Sequence, residues 1–188
     1  MTPALAILIG LVVFLLLLAI AVVGMYNGLV TLRNRYRNAF SQIDVQLKRR
    51  YDLIPNLVET VKGFAKQEKG IMEAVANARA GLLNARTPQE KIEANGRLDT
   101  ALGRLLLVVE NYPNLKSNEN FLRLQDELAG TENRIAVERR RYNESVQKYN
   151  TSIGLFPSNI VASLFGFQRN NAYFKTEPAA RVVPKVAF

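Results

Sequence analysis

The pattern of hydrophobic and polar positions changes sharply at about residue 25. Ala4 to Val23 contains only aliphatic side chains, Ala, one Phe and one Gly, and the first charged side chain of the chain is Arg33. Twenty helical residues cover about 30 Å, the thickness of the hydrocarbon core of a bilayer. A cleaved signal peptide would have a basic start, a shorter apolar core and a small-residue cleavage site. The pattern therefore predicts a transmembrane helix over residues 4–25.

After this anchor, apolar residues recur at the spacing of an amphipathic helix. The repeating positions are Leu29, Tyr36, Phe40, Ile43, Leu47 and Ile54. Because Pro55 lacks a backbone donor and disfavours helical geometry at the residue before it, we expect the first helix to kink or end there. Asp52 is then the expected cap of a second helix, which fades near Asn84.

Two further helices follow from cap signals and periodicity. Thr87, Pro88 and Glu90 have the spacing of a capping box with Pro at the first helical position, and the third helix should stop near Pro113. Ser117 is the expected cap of a fourth helix. Its apolar positions recur every seven residues, at Phe121, Leu128, Ile135, Tyr142 and Tyr149.

Short connections between amphipathic helices favour antiparallel neighbours. We therefore predict an all-α protein in which the transmembrane helix continues into a long antiparallel up-and-down four-helix bundle, over residues 26–154. Residues 155–188 should form an aromatic short helix at Ser158 to Phe165, with Ile160, Val161, Leu164 and Phe165 on one side, and a basic tail.

The amino-acid composition limits the kinds of catalytic and metal-binding groups that the chain can offer. The 188 residues include no His and no Cys, and the 16 carboxylates are scattered. The commonest general base and the main zinc, copper and haem ligands are therefore missing, and no calcium-loop spacing is present. We expect no enzymatic activity, no catalytic residues, no metal site and no cofactor.

Charge places the chain relative to the membrane. The net charge is +9, and Arg33, Arg35 and Arg37 follow the anchor while nothing basic precedes it. Because Lys and Arg near a span resist translocation, we expect a single-pass protein of the inner (cytoplasmic) membrane with its N-terminus outside and its bundle in the cytoplasm. The three arginines are the expected membrane-interface residues. Nucleic acid also attracts basic surfaces, but most of these cations alternate with Glu on helices, so specific nucleic-acid binding is not expected.

Three blocks of sequence resemble the LemA family of bacterial membrane proteins. They are Tyr26–Val30 leading into Leu32–Asn34, the continuous run from Ser41 to Ala65, and Tyr149-Asn150 followed by Phe156–Ala162 and Leu164–Phe167. The resemblance implies an N-terminal anchor and a cytoplasmic helical bundle. It implies no reaction, since family members are linked to membrane remodelling, including magnetosome formation, or are encoded near membrane proteases.

Two surfaces are candidates for contacts with other chains. Gly24 and Gly28 form a small-xxx-small pair that lets two helices approach closely. An oligomer or docking surface is expected where the long fourth helix and the aromatic C-terminus expose apolar groups, unless the C-terminal segment covers that helix within the same chain. Its residues are Tyr142, Val146, Tyr149, Phe156, Phe165, Phe167, Tyr173 and Phe174.

Two functions remain open. In the first, the protein is a homo-oligomer: the bundle of one chain associates with those of other copies and organises or remodels the membrane. Alternatively, it is an adaptor or scaffold that presents another membrane protein, such as a protease, to the cytoplasm.

Overall fold

A computed structural model describes residues 3–174, and the regular elements in that range are all helices, with no strand. The helices are α1 (Pro3–Phe64), α2 (Lys69–Asn84), α3 (Pro88–Val109), α4 (Pro113–Lys116), α5 (Glu119–Ser152) and α6 (Ser158–Leu164). The all-α prediction, with a long apolar N-terminal helix leading into a helical bundle, is confirmed. The part of the basic tail after residue 174, and its terminal Phe188, lies outside the described residues.

The chain forms two compact units. The anchor unit, as described, comprises residues 3–39 and 142–171, and the bundle unit comprises 40–141 and 172–174. Both α1 and α5 contribute to each unit.

The bundle unit packs α2, α3 and α4 with the C-terminal part of α1 and the N-terminal part of α5. Lys91 contacts Asp44, and Tyr112 accepts from Gln67, so α3 runs in the same direction as α1. Arg134 of α5 donates to Gln46 of α1, and Glu132 accepts from Arg50, so α5 runs in the opposite direction. Fully buried apolar side chains fill the interior, among them Ile43, Ile54, Leu57, Val61, Val75, Leu98, Leu105, Leu115, Phe121 and Ile135.

The break expected at Pro55 is absent, because α1 continues through it to Phe64. Pro55 has no N–H to offer the carbonyl four residues earlier, Tyr51 O. Arg79 of α2 supplies the missing donor, since its Nε lies 3.0 Å from Tyr51 O and its guanidinium lies 5.4 Å from the Tyr51 ring. Ile54 is 1% exposed and Leu57 0%, so packing holds the helix on both sides of the proline.

The prediction that Asp52 caps a helix is therefore wrong. Asp52 lies within α1 and accepts a hydrogen bond from Lys48, one turn earlier. The first turn of the bundle is formed instead by residues 65–68, between α1 and α2.

The capping box at the start of α3 is confirmed. Thr87 Oγ1 accepts from Glu90 N, and the Glu90 carboxylate accepts from the backbone N–H groups of Thr87 and Arg86. These backbone hydrogen bonds, from Arg86 and then Thr87, lower the pKa of Glu90. The cap of α5 is one residue later than predicted, because Asn118 Oδ1 accepts from Phe121 N, while Ser117 Oγ donates to Pro113 O in α4.

The core of the anchor unit joins α1, α5 and α6. Its buried members are Leu29, Tyr149, Ile153, Val161 and Ala162. Several partly buried side chains pack around them: Val22, Met25, Tyr26, Leu32, Tyr36 and Phe167.

The short helix predicted after Pro157 is confirmed as α6, but its inward face is Val161 with Ala162. Ile160 and Leu164, which were predicted to share one side of this helix with Val161, are 58% and 74% exposed. A helix of two turns has room for one narrow buried stripe, and Ala162 occupies part of it.

Candidate functional site

The first site is the apolar part of α1. Within the described residues, α1 is the helix whose length and composition would let it cross a membrane, with a mean hydropathy of 3.4 in its most apolar window and no residue of that window buried. Its side chains from Leu5 to Val23 lie exposed, apart from the partly buried Val22, and in water they would leave a large apolar surface uncovered.

An aromatic cluster lies at the end of this apolar segment. The ring centroid of Tyr26 is 4.8 Å from that of Phe165 and 5.7 Å from that of Phe167. Arg33 stacks over Phe167, with its guanidinium carbon 5.1 Å from the ring centroid.

The turn after α6 explains how Phe167 reaches this position. Gly166 has φ +69°, a left-handed conformation that glycine adopts without a steric penalty. Phe167 N donates to Ala162 O and Gly166 N to Ser163 O, at 2.9 and 3.3 Å. These two bonds make a Schellman motif, which ends α6 and returns the chain toward α1.

Three residues predicted to form an exposed stripe are buried instead. Tyr142, Val146 and Tyr149 are 0–1% exposed, so the prediction that they belong to a docking surface is wrong. The same chain covers them, which was the alternative left open. The ring of Tyr36 lies 5.1 Å from that of Tyr149, and burial raises the pKa of the Tyr149 hydroxyl, with Tyr36 adding to the shift.

The segment after α6 is fixed to α5 by polar contacts. Tyr149 Oη donates to Gln168 O at 2.9 Å, and Asn170 Nδ2 lies 3.2 Å from Tyr142 Oη. Asn150 and Asn170 form a reciprocal pair: Asn150 Nδ2 donates to Asn170 O at 2.7 Å, and Asn170 N donates to Asn150 Oδ1 at 2.9 Å.

The remaining predicted docking residues differ in exposure. Phe156 is 80% exposed and Phe165 50%, whereas Phe167, Tyr173 and Phe174 are half-buried. Leu155, Ile160 and Leu164 join the exposed set, at 58%, 58% and 74%. Sequence reasoning did not identify these three as surface residues, because it grouped Ile160 and Leu164 on one side of α6 with Val161, which is buried.

The predicted interface and packing residues of α1 lie in the anchor unit. Arg33 is half-buried, while Arg35 and Arg37 are exposed. A methyl group built at Gly24 or Gly28 would meet no atom within 4 Å, so nothing in the described chain packs closely there. Contact of these glycines with a second chain stays a prediction.

The bundle unit contains an ionic cluster that sequence reasoning missed. Arg50 is 6% exposed, and its Nη1 lies 2.5 Å from Asp99 Oδ1 and 2.5 Å from Glu132 Oε2. Asn95 Nδ2 donates to Asp99 Oδ2 at 2.9 Å. Arg139 approaches both carboxylates more loosely, at 3.4 and 3.6 Å, and its guanidinium stacks on Phe174.

The spacing of α1 contained a signal for this cluster. Arg50 occupies the place of an apolar residue in the buried series Ile43, Leu47, Ile54, Leu57 and Val61. A charged side chain at such a position requires partners from neighbouring helices. The side chain of Arg139, the first of three consecutive arginines, is 23% exposed, because it lies toward these two carboxylates of the bundle.

A small apolar groove of about 210 Å³ lies between α3 and α5, at the end of the bundle unit that holds α4. Leu107 is 67% exposed beside it, and Leu106 is 37% exposed. Glu110 and Lys116 also line the groove. Among residues 3–174, no three His, Cys, Asp or Glu side chains come together as a metal ion would need.

Comparison with known proteins identifies the family. The model of the LemA family matches residues 39–188, most of the chain. The chain belongs to the LemA family. The resemblance inferred from the three sequence blocks is thereby confirmed.

Relatives of this LemA-family chain include two groups. Magnetosome protein MamQ 2 of Paramagnetospirillum magneticum is 29% identical over 180 residues, covering 82% of this chain and 66% of its own length. Magnetosome protein MamQ of Magnetospirillum gryphiswaldense is 29% identical over 201 residues, covering 87% of this chain and 73% of its own. Protein LemA of Metamycoplasma hominis is 27% identical over 161 residues, covering 85% of this chain and 73% of its own length.

The chain thus spans 66% of the length of the first of these relatives. Family membership, the helical fold and the apolar N-terminal helix together describe a helical membrane-associated protein.

Proposed function

We propose that this LemA-family chain is a non-enzymatic, single-pass membrane protein whose helical bundle self-associates to organise or remodel the membrane. The observation that supports self-association is the apolar groove between α3 and α5, because it leaves the large aliphatic side chains of Leu106 and Leu107 uncovered.

A second copy of the same chain fits the character of this groove. Leu106, Leu107 and the neighbouring Leu122 are 37–67% exposed, which is enough to form the apolar centre of a small interface. Glu110 and Lys116, of opposite charge, lie at the same groove. In a two-fold contact each copy presents the same surface, so Glu110 of one copy can pair with Lys116 of the other.

Membrane anchoring strengthens a contact that would be weak in solution. Chains held by α1 in one bilayer share a thin layer, which raises the effective concentration of each bundle for the next. A modest apolar patch is then sufficient to form an array.

The arginines after the span support the proposed topology. Arg33, Arg35 and Arg37 follow the apolar segment, and Asp44 is the first carboxylate of the chain. This charge bias favours an N-terminus outside and a bundle in the cytoplasm, at the bacterial inner membrane. A reporter that works only in the cytoplasm should be active when it is fused to the C-terminus, and a reporter that works only outside the cytoplasm should be inactive there.

The names of the relatives agree with an architectural role. Two of them are magnetosome proteins by name, and neither name denotes a reaction.

The natural absence of cysteine makes a direct test available. Leu107→Cys places one thiol beside the groove, and Glu127→Cys places a matched thiol on an exposed turn of α5. After treatment of intact membranes with a short bifunctional maleimide, Leu107→Cys should give a dimer-sized adduct containing only this chain. Glu127→Cys should give much less.

The adaptor function predicts a different outcome from the same experiment. If Leu107→Cys forms a reproducible adduct with a second membrane protein and no self-adduct, the groove serves a partner and the self-association proposal is wrong. Equal self-adducts from both thiols would also contradict it, because that result indicates random collision rather than a defined surface.

A further inference from the structure

Helix α6 and the turn before it present a continuous apolar surface. The exposed fraction is 80% for Phe156, 74% for Leu164, 58% for Leu155 and Ile160, and 50% for Phe165. A soluble protein seldom exposes five large apolar side chains within eleven consecutive residues. Such patches mark contacts with membranes or with other molecules.

The inner side of α6 fixes where this surface lies relative to α1. Val161 and Ala162 share a core cluster with Leu29, and Val22 and Met25 pack against the same cluster. Val22 belongs to the apolar segment of α1, and Met25 is the last residue of the predicted span. Tyr26, the next residue, contacts Phe165. The apolar surface of α6 therefore lies beside the end of the segment that crosses the bilayer.

The charges of the anchor unit match a lipid surface. This unit contains five basic side chains, Arg33, Arg35, Arg37, Lys148 and Arg169, and one carboxylate, that of Glu144. No Asp or Glu occurs from Ser145 to Phe174. A basic surface is attracted to anionic lipid headgroups, and the absence of carboxylates from the aromatic segment avoids repulsion by them.

The segment is also held in place by the protein. The Schellman motif at Gly166 ends α6, and the reciprocal Asn150–Asn170 hydrogen bonds attach the following residues to α5. The exposed apolar groups are thus presented from a fixed support.

We propose that α6 and the preceding turn are a second membrane contact, lying in the boundary between headgroups and acyl chains on the side of the bilayer that bears the bundle. Val161 and Ala162 face the protein, while Phe156, Ile160 and Leu164 enter the lipid. The occupant of this surface is lipid because the surface adjoins the span, is aromatic and apolar, and belongs to a unit with an excess of basic side chains, as an interfacial helix does. The inference rests on membrane anchoring by α1 and is independent of self-association.

The chain contains no tryptophan, so a single introduced Trp reports its own surroundings. Phe156→Trp and Leu164→Trp are made in the full-length protein, which is reconstituted in vesicles that contain phosphatidylglycerol. Emission is measured with lipids brominated near the headgroup and with lipids brominated near the chain end. Leu15→Trp, within the span, and Glu127→Trp, on the bundle, serve as the membrane and water controls.

Both α6 variants should lose about half of their emission with bromine near the headgroup, and less with bromine near the chain end, as expected for a helix lying about 5–10 Å into the interface. Leu15→Trp should be quenched by deep bromine, which also shows that α1 is inserted. Glu127→Trp should respond to aqueous iodide alone.

Iodide quenching of both α6 variants, at the level of Glu127→Trp, would overturn the proposal while leaving the anchor intact. Protection of both from bromine and from iodide would also overturn it, because a protein then covers the surface. If one variant fails to fold, as judged by circular dichroism, the other decides the result. Loss of quenching in Leu15→Trp would instead overturn membrane anchoring itself.

Discussion

Replacement of Arg50 by Met tests whether the ionic cluster stabilises the bundle. Met keeps much of the length of the side chain and removes the charge that bonds to Asp99 and Glu132. The Arg50 side chain is 7% exposed, whereas those of Asp99 and Glu132 are 20% and 39% exposed. Arg139, at the longer distances of 3.4 and 3.6 Å, would then be the remaining cationic partner of the two carboxylates in the cluster.

The magnitude follows from this geometry. Removal of one partner from a fully buried ion pair costs about 3–5 kcal/mol. Because Glu132 reaches water and Asp99 keeps its hydrogen bond from Asn95, we expect a smaller loss, about 2–3 kcal/mol. For a bundle of this size that corresponds to a fall in Tm on the order of 10 °C.

The assay is urea or thermal unfolding of the full-length protein in detergent, followed by circular dichroism. Lys48→Met is the matched control, since Lys48 lies on the same helix and pairs with Asp52 at the surface, with its side chain 67% exposed. We expect it to leave the free energy of unfolding nearly unchanged, because solvent screens an exposed pair. If Arg50→Met is no more destabilising than Lys48→Met, the cluster makes no net contribution to stability and the argument is refuted.

Three other predictions concern single contacts. Arg79→Met should lower the free energy of unfolding by about 1–2 kcal/mol, because it leaves the Tyr51 carbonyl unpaired. In a Pro55→Ala background the loss should be much smaller, because the backbone N–H of residue 55 then supplies a donor. A double-mutant cycle of unfolding free energies tests this, and equal losses in both backgrounds would contradict it. The lowered pKa of Glu90 means that its charged form adds stability above its ordinary value of 4.5, and that this contribution is lost as pH falls through the lower folded value. Wild type should therefore lose more stability in that acid range than Glu90→Gln, and parallel pH profiles would refute the effect. Asn150→Ala should speed tryptic cleavage after Arg169 in the folded protein, because it removes both hydrogen bonds between residues 150 and 170. An unchanged cleavage rate would show that those bonds do not hold the segment after α6 against α5.

Much of the fold could be predicted because its signals are local. The apolar segment from Ala4 to Val23 and the capping box of Thr87 and Glu90 depend on neighbouring residues, and both correspond to the structure. The continuation of α1 through Pro55 could not be predicted in this way, because its donor, Arg79, comes from another helix.

In the candidate sites, too, features set by neighbouring residues could be predicted, and features set by contacts between helices could not. The basic residues after the span are visible in the sequence, but the exposure of α6 depends on which of its sides meets α1. The heptad of α5 correctly indicated a buried stripe, yet residues as distant as Gln168 and Asn170 decide that Tyr142 and Tyr149 are covered within the chain. Arg50 could have been identified from its place in the buried series, whereas its partners, Asp99 and Glu132, lie 49 and 82 positions later.

The bond between Arg79 and the Tyr51 carbonyl has a consequence for biosynthesis. Arg79 leaves the ribosome 28 residues after Tyr51, so α1 is made before the group that completes it. Until α2 folds back, that carbonyl must bind water, and the nascent helix has a weak point at Pro55. The arrival of α2 removes this weak point, so the continuation of α1 through Pro55 is a late product of folding rather than its starting template.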